Sequence, residues 1–255
     1  GNTIPFYISI ITFLLTCFMI PALPGSFNEV RGNGELFPLN GPMWSLFFEY
    51  IGNILYALFI RRLSTKLLTL LVILLGILHS IFTIGNLSGY GNLGIGWTFD
   101  TINFCGGMLR MLFPFTLGML ISRCFKAIKL PYPFFLSSIL LIATLSVPYL
   151  PAFKAINLNG IYESLCIIAI FPLILTIGAS SQEKSKLSQT LGELSYPLYI
   201  IHYPIMYLFY QWLIKTKQYT LSQTYPVALF VIIISIILAF ILLKLYDKPL
   251  RQRLK

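Results

Sequence analysis

The stretch Leu39-Asn40-Gly41-Pro42-Met43-Trp44-Ser45-Leu46-Phe47-Phe48-Glu49-Tyr50 decides how this chain is read. It opens an apolar run that continues to Ile60, and it carries a carboxylate, Glu49, inside that run. A charge at the centre of a membrane helix costs about 2.5–3.5 kcal/mol on insertion scales, so it calls for a partner or a task. Ser45, Glu49, Gly52, Asn53 and Tyr56 recur at helical spacing and fall on one face. A polar stripe of this kind is expected to face the interior of a bundle or a wet cavity. For Ser45 and Asn53 a structural hydrogen-bond seam between helices accounts for the polarity. Glu49 is ionisable and is the candidate for function, or for direct support of a site.

The rest of the chain sets that stretch in a membrane. Of its 255 residues 57% are hydrophobic and 10% charged, against roughly 25% charged in an average soluble domain. Mean hydropathy is +0.82. Eight apolar segments can be drawn, at about 4–22, 43–60, 67–85, 103–121, 133–150, 160–179, 193–213 and 226–245. Each is near the length a helix needs to cross a bilayer, and prolines and glycines mark most of the ends. The expected fold is all-α: a polytopic bundle of about eight spans, one transmembrane domain over residues 1–255.

The net charge of +10 does not point to nucleic acid, because the basic residues punctuate the apolar segments in short clusters. Alternate loops and the C-terminal end hold thirteen Lys and Arg, the other loops only Arg31, Lys154, Lys215 and Lys217, and Arg110 stands alone inside a segment. The positive-inside rule then places both chain ends in the cytoplasm. The four cysteines, Cys17, Cys105, Cys124 and Cys166, form no C-x-x-C pair and read as small hydrophobes. No metal cluster, nucleotide fingerprint or G-x-S-x-G motif is visible.

Two further segments carry candidate chemistry. The fourth holds Asn103, Gly107, Arg110 and Pro114 on one face. Arg110 is either buried in an ion pair with Glu49 or holds an anionic or polar part of a substrate, which a guanidinium suits. The seventh reads Leu191-Gly192-Glu193-Leu194-Ser195-Tyr196-Pro197-Leu198-Tyr199-Ile200-Ile201-His202-Tyr203-Pro204. Ser195, Tyr199 and His202 share a face, and Pro197 and Pro204 are expected to free backbone carbonyls toward a cavity. His202 is a packing residue or an oriented imidazole. His79, with only Ser80 and Thr83 nearby, reads as structural. Glu163 is expected at an interface, and the run Gly89 to Gly96 with Trp97 and Asp100 as a connector or a substrate cover.

Three blocks resemble the membrane acyltransferase 3 family, integral-membrane O-acyltransferases of bacterial surface sugars. The first is Asn40 to Glu49, with Trp44, Ser45 and Glu49 at the family's positions. The second is Gly106 to Gly118, similar to R-x-x-x-x-F-x-x-G-M through Arg110, Phe115, Gly118 and Met119. The third is Leu191 to Pro204, similar to L-G-x-x-S-Y-x-L-Y-x-x-H-x-P through Ser195, Tyr196, Leu198, Tyr199, His202 and Pro204. The tail Tyr246 to Leu250 is similar to the family's closing Y-x-E-K-P segment, with Asp247 in place of Glu.

The resemblance implies transfer of an acyl group from a cytoplasmic donor such as acyl-CoA to a hydroxyl of a cell-surface or lipid-linked saccharide. The setting it implies is the bacterial inner membrane, with membrane lipids as surroundings and no resident cofactor. Glu49, Arg110 and His202 are the candidates for the reaction site, and Trp44, Ser45, Asn53, Ser195 and Tyr199 for the substrate path. Family members typically have ten spans, the first with a basic residue eleven positions before the His thought to act in acyl transfer. That pattern and the family's aspartate-containing block do not occur here, and the chain begins Gly1-Asn2-Thr3 without Met. The expectation is therefore an N-terminally truncated protein, inactive alone. A transporter or flippase, or a non-catalytic remnant, remains as an alternative.

Overall fold

The structure is a computed structural model that describes residues 4–154, 156–181, 186–217 and 219–253. Lys184 and Lys255, which enter the charge count, lie outside them, as does the Gly1-Asn2-Thr3 start. The regular elements of the described residues are helices, joined by turns and loops, with isolated β-bridges at Glu35–Thr98 and Phe153–Ile156.

Capping residues set most of the helix starts. Helix α1 (Phe6–Cys17) follows Pro5, and α2 (Met43–Leu58) follows Pro42. Helix α3 (Thr65–Ile84) starts where the Ser64 hydroxyl accepts from the Leu67 N–H, and α4 (Thr101–Cys124) where the Asp100 carboxylate accepts from the Asn103 N–H. Helix α5 (Pro133–Leu145) has its proline in the first turn, where no N–H is missed. In α6 (Leu158–Ala179) Asn157 caps the start, and the helix runs through a π-helical turn at Cys166–Ile170. Helix α7 (Lys186–Thr216) contains Pro197 and Pro204. Helix α8 (Leu221–Arg253) passes a second π-helical turn at Leu243–Asp247.

Each apolar segment read from the sequence carries one of these helices. Four of them, α3, α4, α6 and α8, are long and apolar enough to cross a membrane. The other helices do not reach that mark, so the structure supports four of the eight expected spans. Helix α1 has 12 residues and α5 has 13, because α1 ends ahead of Pro21 and α5 ahead of Pro148. Helix α2 has 16 residues. Helix α7 has 31, but tyrosines, prolines and His202 dilute its hydropathy. Large side chains such as Leu70, Ile73, Leu74, Ile77, Ile232 and Ile233 stand exposed on α3 and α8, as surfaces that meet lipid should.

Helix α3 packs on α4 and α6, α2 on α4, α5 on the second half of α6, and α7 on α8. Between α3 and α4 lies a core of Leu68, Val72, Leu75 and Phe113, with Ile60 from the short turn after α2. A second cluster, Leu36, Phe37 and Phe48, seats the chain before α2 against that helix. Gly107 is required there, since a Cβ on it would meet the Phe48 ring at 2.6 Å. Gly96, at φ +111°, brings the 85–100 loop so close that a Cβ would meet the Trp44 ring at 2.8 Å. The loop is thereby clamped over the first turns of α2 and α4, where the candidate residues lie.

Candidate active site

The first turns of α2 supply Trp44, Ser45 and Glu49, α4 supplies Arg110, Met111, Pro114 and Phe115, and α7 supplies Tyr199. Together they line a cavity of about 370 Å³. The Arg110 guanidinium lies over the Trp44 ring, 4.8 Å from its centroid, and donates to the Ile95 carbonyl at 3.1 Å. The Ser45 and Tyr199 hydroxyls hydrogen-bond each other, and each lies 3.0 Å from the Pro42 carbonyl. A cation, a carboxylate and a hydroxyl pair thus converge on one space.

Glu49 and Arg110 are not ion-paired. Among the described residues the ion pairs are Arg31–Glu35, Lys248–Glu193 and Arg251–Asp247. Arg110 is drawn to the Trp44 face and the Ile95 carbonyl instead. The Glu49 carboxylate is exposed to the cavity. Glu49 stays exposed at the cavity while the half-buried Arg110 is held by the Trp44 face and the Ile95 carbonyl, so neither charge depends on the other as its partner.

The other sequence candidates lie elsewhere. Asn53 is exposed and donates to the Glu49 carbonyl of its own helix at 2.9 Å. Ser195 and His202 share with Tyr199 a different cavity, about 470 Å³, closed by Val231, Ile232, Ser235 and Ile236 of α8. His202 Nδ1 rests against the Leu198 and Tyr199 carbonyls at 3.1 and 2.8 Å. Tyr199 is the shared wall, and His202 does not line the cavity of Glu49 and Arg110. His79 is fully buried beside Phe113, ring centroids 5.4 Å apart, and neither ring nitrogen has a hydrogen-bond partner.

Several residues of the site escaped the sequence reading. A third cavity, about 490 Å³, adjoins the first across Trp44 and Tyr199 and adds Glu35, Trp97 and Tyr203. A fourth, about 600 Å³, lies on the other side of Arg110 and includes Asn159, Tyr162, Glu163 and Cys166. Glu163 has a structural task. It accepts from the Leu93 N–H at 2.7 Å and from Asn159 Nδ2 at 3.0 Å, so it ties α6 to the glycine-rich loop. The helical spacing of Asn159 and Glu163 on one face was the available signal for that pair. Trp97 of this loop forms part of a cavity wall.

The sequence model of the acyltransferase domain of this kind matches residues 2–244. The chain belongs to the acyltransferase 3 family. No curated protein and no solved structure matches it. With four helices long and apolar enough to span, this acyltransferase 3 protein is a multi-pass membrane protein of a family of acyltransferases. Its family match covers all three sequence blocks, and all three, through Trp44, Ser45, Glu49, Arg110, Phe115 and Tyr199, meet in the 370 Å³ cavity.

Proposed function

We propose that the protein is an O-acyltransferase that moves an acyl group from acyl-CoA, presented at the cytoplasmic side, to a hydroxyl of a cell-surface or lipid-linked saccharide. Its place is the bacterial inner membrane, with eight spans and both ends of the chain cytoplasmic. The observation that carries this reading is the convergence of Arg110, Glu49 and the Ser45–Tyr199 hydroxyl pair on one cavity.

The chemistry asks two things of such a cavity. As the acceptor oxygen adds to the thioester carbonyl, negative charge gathers on the carbonyl oxygen. A fixed guanidinium stabilises that charge most where water is scarce. Arg110 is held for this by Trp44 and the Ile95 carbonyl. As the C–O bond forms, the hydroxyl proton must leave, and the C–S bond then breaks to release CoA as its thiol. Glu49 orients that hydroxyl, and Ser45 and Tyr199 position it. The donor is a co-substrate and the site holds no resident cofactor.

The test uses the full gene product in membrane vesicles with radiolabelled acetyl-CoA and the host's own envelope glycans. Arg110→Gln and Glu49→Gln should each lower label transfer by 10²-fold or more, with normal amounts of protein in the membrane. Unchanged transfer in both variants would refute the assignment of the cavity.

A further inference from the structure

We infer that the 490 Å³ cavity beside the reaction site is a carbohydrate subsite, with Trp97 as its stacking platform and Glu35 as its hydroxyl-binding carboxylate. This inference rests on the acyl-transfer reading above and names where the acceptor sits.

The argument starts from the walls. Trp44, Trp97, Tyr199 and Tyr203 give this cavity an aromatic lining, and Glu35 gives it one carboxylate. A sugar ring has the matching character. Its C–H face is apolar and packs on an aromatic face, and its hydroxyls project at the rim as donors. Few polar groups on a mostly apolar wall is the usual make-up of a small-molecule site. Trp97 is positioned for this role because its Nε1–H is already used, donating to the Gly94 carbonyl at 3.1 Å. The ring is pinned by its edge while the residue stays partly exposed.

Glu35 is pinned as well. Arg31 Nη1 donates to its carboxylate at 2.9 Å, and the Arg31 guanidinium in turn lies 4.1 Å from the centroid of the Tyr207 ring and donates to its hydroxyl. A carboxylate offers about four lone-pair positions, so Arg31 orients it without using it up. This half-buried charge excludes a lipid tail as occupant, because an acyl chain would desolvate it without compensation. The same negative charge disfavours the phosphates of CoA, since Arg31 is already engaged. A neutral polyol remains.

Position supports the assignment. Trp44 and Tyr199 line both this cavity and the one with Glu49 and Arg110. A ring stacked on Trp97 therefore has a hydroxyl edge toward the Ser45–Tyr199 pair, where the acyl group would arrive.

The chain has three tryptophans, and two of them, Trp44 and Trp97, line this cavity. With Trp212→Phe as background, the chain in lipid nanodiscs is titrated with cellobiose, maltose and chitobiose, and its intrinsic fluorescence is read. At least one disaccharide should give a saturable change. Glu35→Gln should weaken that binding on the order of tenfold, the size of a lost charge-assisted hydrogen bond, and Trp97→Phe should weaken it several-fold. Added CoA should not displace the sugar. No saturable response to any of the three sugars, equal affinity in both variants, or displacement by CoA would overturn the proposal. Release of CoA from acetyl-CoA by the full gene product reads the acyl-transfer reading separately. Normal release with no effect of Glu35→Gln on sugar binding sinks the subsite alone, and absent release sinks the enzyme reading.

Discussion

Asn40 donates its side-chain amide to the backbone carbonyl of Ile200 at 2.8 Å. That carbonyl is the one Pro204 leaves without its helical partner, because proline has no N–H to offer four residues on. The bond therefore joins the segment before α2 to the break in α7, two elements that are 160 positions apart in sequence. Helix α7 packs on α8, and it meets the chain before α2 and the start of that helix through polar contacts: Asn40 to Ile200, Tyr199 to Pro42 and Ser45, and Arg31 to Tyr207. The proline break and the polar seam are one device. It gives α7 a docking point where the two cavities meet.

Asn40→Leu should lower stability by about 1–3 kcal/mol, the cost of an unbonded buried carbonyl. The loss should sit toward the lower end, since Asn40 Oδ1 is itself buried without a partner and its removal offsets part of the penalty. Pro204→Ala restores a helical donor for Ile200, so the double variant should regain most of what Asn40→Leu loses. Thermal midpoints of the four proteins in nanodiscs form the cycle. Additive losses would show that Asn40 does not act through that carbonyl.

Arg110→Lys should behave nearly as badly as Arg110→Gln in acyl transfer. A lysine keeps the charge but loses the planar stack on Trp44 and the fixed donor to Ile95. A fall of 10²-fold or more in turnover for both, with less than tenfold change in donor affinity, marks a group used as charge develops. Full activity in Arg110→Lys would reduce the residue to a point charge.

What the sequence made legible follows from period and polarity. The eight helices, and the meeting of Trp44, Ser45, Glu49, Arg110 and Tyr199, were readable because a polar residue on an apolar helix has few places to go. Helix lengths were less legible, since flanking prolines trim α1 and α5 in ways hydropathy does not see. Of the two readings of Arg110, the ion pair with Glu49 did not form, although both residues line one cavity, and the reason is related. Depth along two helices says nothing of a third partner, and the Trp44 face and Ile95 carbonyl took the guanidinium. Glu35 went unread, and Trp97 was read only within a connector or substrate cover, because loops carry no period. Their placement depends on Gly96 and Gly107 letting the loop approach.

Acid should loosen the start of α4. Burial pushes the Asp100 carboxyl up, but hydrogen bonds from Thr98 and from the Asn103 backbone and side chain pull it further down, and the net shift is below the usual carboxylate value. A group with a depressed folded value adds stability above its unfolded value, near 3.9 for Asp, and loses it as pH falls through the folded value. The thermal midpoint should fall more steeply between pH 5 and pH 3 in the wild type than in Asp100→Asn, which keeps a cap without the charge. Parallel curves would contradict the argument.

Topology is testable by single-cysteine labelling. Cys17, Cys105 and Cys124 are exposed and must first be replaced, while Cys166 is buried. Reporters at positions 64 and 252 should react from the cytoplasmic side and one at 33 from the other. Labelling of 64 and 33 from one side would break the eight-span proposal.

The two histidines should separate by what surrounds them. His79 is fully buried with neither nitrogen bonded, and replacing an unpaired buried polar group by an apolar one is close to neutral or stabilising. His79→Leu is expected to keep the thermal midpoint and acyl transfer within twofold. His202 lines the cavity against α8, holds its ring on its own helix carbonyls, and touches the reaction cavity only through Tyr199. Its ring lies 5.9 Å from that of Tyr199. His202→Ala should therefore lower transfer more than His79→Leu, on the order of tenfold, by loosening Tyr199 rather than by removing a base. Two readouts distinguish the cases. A base contributes about 10²–10⁴ in rate and its loss changes the pH–rate profile. A positioning residue leaves the profile in place, and His202→Phe, which refills the space, should recover part of the activity. A loss of 10³-fold with an altered pH profile would make His202 catalytic, and equal effects at both histidines would reduce it to packing.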